Sequence, residues 1–67
     1  MTRQPVQVVF EDGLMLLKDD QNQGYDCMDV CESSIAEANA QIDHWAMQYA
    51  FDVEAAKSDL AAYLSEL

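Results

Sequence analysis

The apolar positions of this 67-residue chain fall into two regimes with different periods. Val6 to Phe10 is a β-branched and aromatic run, Glu11-Asp12-Gly13 follows, and Leu14 to Leu17 resumes the apolar run. Two such runs around a Gly-containing loop predict a β-hairpin. Taken as a three-residue loop closed by Gly13, the turn sets Phe10 opposite Leu14, Val8 opposite Leu16 and Val6 opposite Lys18. One face then carries Val6, Val8, Phe10, Leu14 and Leu16, and the other Gln7, Val9, Met15 and Leu17. Either helices cover one face and a partner or second copy the other, or an edge is paired by another chain; Val9, Met15 and Leu17 are expected to form the exposed apolar interface. Asp19 to Gly24 is a polar loop ending in glycine.

From Asp26 the period changes. Met28, Cys31, Ile35, Ala38, Ile42, Trp45 and Tyr49 recur at spacings of three and four, one apolar stripe of a helix. Two starts are open: Asp26, which can cap the stripe, or Ser34, which forms a capping box with Glu37 after a short turn through residues 26–32. A second helix is expected from the N-cap Asp52, with Glu54 in its first turn and Val53, Ala56, Leu60, Leu64 and Leu67 as its stripe. Tyr63 lies beside the stripe, and Phe51 precedes the cap as a staple. The expectation is one α+β domain over residues 1–67, an N-terminal β-hairpin followed by two α-helices.

Asp and Glu number 13 against 3 Lys and Arg, a formal net charge of −10. Polyanionic duplexes and anionic membrane surfaces are held by Lys and Arg, so direct binding to either is disfavoured. A chain with 51% hydrophobic residues is nevertheless no disordered acidic tail. The start, Met1 to Pro5, lacks the basic residues and apolar run of a signal peptide, and no stretch approaches the roughly 20 apolar residues of a bilayer span. The expected location is cytoplasmic, with Cys27 and Cys31 as reduced core thiols.

On a helix begun at Asp26, the residues Asp26, Asp29, Glu32, Glu37 and Asp43 fall within an arc of about 140° opposite the apolar stripe. Glu11 and Asp12 at the hairpin tip and Asp19 and Asp20 in the next loop extend the acidic surface. Like charges three and four residues apart destabilise a helix, and the carboxylate of Glu66 sits at a helix C-terminus that favours cations. Acids placed against local helix physics point to a surface presented to a basic partner. Elsewhere the chemistry is sparse. An EF-hand begun at Asp19 has Gly24 in place but Gln21, Gln23 and Val30 where carboxylates are needed. Cys27, Cys31 and His44 fall one ligand short of a zinc site. Ser33 and Ser34 read as capping residues, and Trp45 and Tyr49 as core. No catalytic residues, metal or cofactor are assigned, and an enzyme ranks last.

In size, charge and the placement of these acids, the chain resembles small phage-encoded inhibitors of the anti-CRISPR and DNA-mimic type. That resemblance implies a protein–protein inhibitor acting in the cytoplasm of an infected bacterial host. Its partner would be a basic nucleic-acid-binding protein or complex, such as a Cas surveillance complex. The alternative expectation is a small homodimeric adaptor whose acidity serves solubility.

Overall fold

Asp12 and Gly13 both lie at positive φ, 53° and 77°. Two successive left-handed residues make the mirror-image turn whose twist matches a β-hairpin, and Asp-Gly is among its preferred pairs. The loop between strands is therefore two residues long. It joins β2 (Gln7–Glu11) to β3 (Leu14–Lys18) and pairs Glu11 with Leu14, Phe10 with Met15, Val9 with Leu16, Val8 with Leu17 and Gln7 with Lys18. The three-residue loop is thus corrected, and the correction matters: a one-residue slip turns every side chain of a strand to the opposite face. Met15 and Leu17 are fully buried, not an exposed interface. Leu14 and Leu16 join Val9 on the outer face, all three half-buried. Glycine is required at position 13, because a Cβ there would also lie 2.4 Å from Cys31 Sγ.

The computed structural model describes residues 3–67. The element order is β1 (Gln4–Pro5), β2, β3, β4 (Gly24–Asp29), α1 (Ile35–Ala46), β5 (Tyr49–Ala50) and α2 (Val53–Ser65). The fold is α+β, with the hairpin followed by two helices as expected. The third strand, β4, is a correction: residues 24–29 are neither helix nor turn. They pair antiparallel with β3, Leu14 with Asp29, Met15 with Met28, Leu16 with Cys27 and Leu17 with Asp26, and Tyr25 is an extra residue at a bulge. Strands β2, β3 and β4 form one sheet in that order. A two-residue parallel ladder pairs Gln4 with Tyr49 and Pro5 with Ala50, tying the start of the chain to the link between the helices.

Helix α1 begins at the later of the two predicted starts. Ser34 caps it, its side chain accepting from Glu37 N–H while Glu37 accepts from Ser34 N–H, and together they satisfy two otherwise unpaired donors. Met28 and Cys31 therefore lie outside the helix. Asp52 caps α2 as expected, accepting from Ala55 N–H at 3.0 Å. Met15, Leu17, Val30, Ala38, Ile42, Trp45, Ala56 and Leu60 form the core between the sheet's inner face and the two helices. Full burial of a side chain of this size contributes about 1.5–3 kcal/mol. Two polar anchors fasten sheet to helices. Trp45 Nε1 donates to Asp26 Oδ2 at 3.0 Å, and Gly13 N–H donates to Tyr63 Oη at 2.6 Å. Tyr63 also stacks on Phe10 with ring centroids 5.4 Å apart.

Candidate binding surface

The five acids expected on one helical arc occupy three different settings. Asp26 and Asp29 are on β4, Glu32 is in the loop after it, and only Glu37 and Asp43 are on α1. The continuous acidic stripe is corrected, because the chain over residues 24–29 is extended and Ser34 stops the helix from reaching further back.

Several of these carboxylates have local partners. Asp26 accepts from Trp45 and, through Oδ1, from Cys27 N–H at 2.8 Å. Asp29 Oδ1 accepts from Cys31 N–H at 2.9 Å and Glu32 N–H at 3.3 Å, holding the turn into α1. Asp19 organises the β3–β4 loop. Its Oδ1 accepts from Gln21 and Gln23 N–H, each at 2.9 Å, and its Oδ2 from Tyr25 Oη at 2.8 Å. The Gln23 N–H bond, followed by the Tyr25 hydroxyl, holds the Asp19 carboxyl below its usual 3.8. The same hydroxyl bond holds the Tyr25 phenol above its usual 10.0. The loop offered to calcium by sequence is thus a turn built around one carboxylate.

The three basic side chains are all engaged inside the molecule. Lys57 Nζ lies 2.8 Å from Asp43, Lys18 Nζ lies 3.7 Å from Glu11, and Arg3 donates to the Ala46 carbonyl at the end of α1. Lys18 and Glu11 are four residue rows apart on the outer face, so their stems must run toward each other over the Val9–Leu16 row. The Lys18 side chain is accordingly only 19% exposed. Its methylenes cover part of an apolar face that also carries Cys27. Cys27 and Cys31 are exposed free thiols, which corrects their assignment to the core.

The remaining carboxylates, on Asp12, Asp20, Glu32, Glu54, Asp59 and Glu66, are exposed and make no hydrogen bond or ion pair among the described residues. Asp12, Glu32 and Glu66 come to the same end of the molecule, where Gly13 meets Val30, Cys31 and Tyr63. Asp20 lies at the other end, beside a shallow depression lined by Pro5, Val6 and Gln7. Glu54 and Asp59 project from α2. Of the predicted partner-binding acids, Asp12, Asp20 and Glu32 thus remain free, while Glu11, Asp19, Asp26, Asp29, Glu37 and Asp43 have internal partners. Glu54 and Asp59 fall outside the predicted set because they lie on α2 and not on the arc of the first helix.

Two further observations complete the surface. Among the described residues no three His, Cys, Asp or Glu side chains gather to hold a metal ion, and no helix is long and apolar enough to cross a membrane. No family model, curated protein or solved structure matches the chain.

Proposed function

We propose that this chain is an acidic binding protein that occupies the basic nucleic-acid-binding surface of a partner and so blocks it. The observation that carries the reading is the engagement of Arg3, Lys18 and Lys57 within the fold while six carboxylates stand free. The surface offers a partner anionic groups and no free cation among the described residues. Carboxylates paired with Lys and Arg replace the phosphates those residues would hold. The net charge also accelerates encounter with a basic groove. Inhibition of the DNA-mimic or anti-CRISPR type, directed at a defence complex in an infected bacterial cytoplasm, is the specific form of this reading. It takes the chain as a binding protein and not an enzyme.

The test is retention of bacterial nucleic-acid-binding proteins on the immobilised chain, with release by duplex DNA and by salt. The variant must leave the fold intact, which excludes Asp29 and Glu37 because they hold the turn and the cap. Asp12→Asn, Asp20→Asn and Glu32→Gln together should weaken retention and preserve stability. Retention that ignores salt, DNA and this triple change contradicts the proposal.

A second reading has one observation in its favour, the partly uncovered outer face of Val9, Leu14, Leu16 and Cys27. A homodimeric adaptor would bury that face. Sedimentation should then show a dimer that is insensitive to salt and is broken by Leu16→Asp.

A further inference from the structure

The two outer strands of the sheet leave different backbone groups unpaired. In a two-residue hairpin the residues flanking the turn exchange both hydrogen bonds, and hydrogen-bonded and non-bonded pairs then alternate along the ladder. Glu11, Val9 and Gln7 therefore bond to β3, while Val8 and Phe10 direct their N–H and C=O groups away from it. By the same alternation Cys27 and Asp29 face outward from β4. On β4 two of those four groups are met from within the chain. Cys27 N–H donates to Asp26 Oδ1, and Asp29 C=O accepts from Ser33 Oγ at 2.8 Å. The bulge at Tyr25 further twists that edge from use. On β2, Val8 and Phe10 have no such partner among the described residues.

A groove of about 220 Å³ runs between this open edge and α2. Val6, Val8, Phe51 and Ala56 supply its apolar lining, and Asp52 and Asp59 stand on its helical wall. Seven residues of helix separate the two acids by about 10.5 Å. Asp52 spends one oxygen on its cap, and Asp59 is unpaired. We propose that this groove takes an extended basic segment of the partner, added as a fourth strand along β2. Its main chain bonds to Val8 and Phe10, and an apolar side chain enters the groove. Basic residues two positions to either side of that side chain meet the acids, since alternate strand positions share a face and span about 13 Å over four residues. A second copy of this chain does not fit, because its three cations are already engaged. The proposal rests on the reading that the partner is basic, and adds where and in what conformation it is held.

The probe is a synthetic peptide, Lys-Thr-Val-Thr-Lys, titrated into the isotope-labelled full chain. Amide shifts should concentrate at Val8, Phe10 and Asp59. Asp59→Lys should weaken binding by about tenfold or more, as loss and reversal of a charge pair does. The same peptide N-methylated at the valine and the last lysine, whose groove-facing positions donate the main-chain bonds of an antiparallel strand set opposite Val8 and Phe10, should bind at least as poorly. Glu32→Gln should leave the affinity within about twofold, because Glu32 follows β4, two strands away from the β2 edge. Shifts spread evenly over the acidic surface, or equal binding by the N-methylated peptide or by the Asp59→Lys protein, would overturn the groove. If nucleic-acid-binding proteins are then still retained in a salt-sensitive manner, the basic-partner reading survives without the groove. If retention is salt-insensitive as well, both fall.

Discussion

Strands β2 and β4 flank the same central strand, and each leaves two residues with main-chain groups pointing outward. On β4 the Asp26 carboxylate and the Ser33 hydroxyl take up the Cys27 N–H and the Asp29 C=O. On β2, Val8 lines a groove with acids on its far wall, and Phe10 continues the same open edge. This small fold uses its polar residues differently at its two edges. Exposed strand edges invite pairing with other chains; Asp26 and Ser33 block part of one edge, while Asp52 and Asp59 give the other a charge preference. Net charge alone does not distinguish these uses.

The largest loss is expected from the core that holds both edges in place. Trp45→Ala removes the side chain that joins α1 to the β4 edge, and should cost about 3–5 kcal/mol. A domain of this length holds about 3–5 kcal/mol in total. Circular dichroism and thermal melting should show a largely unfolded chain. A narrower change acts on the β4 edge and on its anchor to Trp45. Asp26→Ala leaves the buried indole N–H and the Cys27 N–H without acceptors, for about 1–3 kcal/mol. Because that edge is then uncapped, sedimentation should show concentration-dependent self-association absent from the unmodified chain.

Gly13→Ala tests the turn that sets the register. Alanine is strained at a φ of 77°, and its Cβ meets Cys31 Sγ. The expected loss is about 1–3 kcal/mol in a denaturant melt, with Cys31→Ala recovering part of it by freeing the space.

The smallest expected effect is the pH response of the β3–β4 loop. The Asp19 carboxyl is lowered in the fold, so its contribution is complete above pH 3.8 and is lost as the pH falls below that value. The Tyr25 phenol is raised, so its contribution is complete below pH 10.0 and is lost as the pH rises beyond it. Amide exchange at Gln21 and Gln23, corrected for intrinsic rate, should show steady protection between those limits and reduced protection outside them. Tyr25→Phe should remove the alkaline loss and leave the Gln23 bond to Asp19.

Much of the fold was legible where a local rule acts alone. Ser34 with Glu37, and Asp52 before Val53, are capping patterns whose partners lie three residues away, and both helices start where those patterns place them. The hairpin was legible as a hairpin. Its register was not, because Glu11-Asp12-Gly13 fits a three-residue loop as well as it contains the Asp-Gly pair of a two-residue one. That single residue decided whether Met15 and Leu17 or Leu14 and Leu16 were buried. Strand β4 was hidden because its inward position 26 is an aspartate, whose acceptor role requires an indole 19 residues away, and because Met28 and Cys31 happen to continue the spacing of α1. The acids were visible as residues, but their grouping depended on that helix. The groove depends on β2 meeting α2, a long-range contact that no local spacing encodes.

Hydrogen exchange at the two edges tests the asymmetry most directly. In the free protein Cys27 N–H should exchange slowly, and Val8 and Phe10 should exchange as fast as open strand positions. Adding the Lys-Thr-Val-Thr-Lys peptide should slow Val8 and Phe10 and leave Cys27 unchanged. Protection of Val8 and Phe10 equal to that of Leu16 before the peptide is added, or no change at either residue under saturating peptide, would contradict the account.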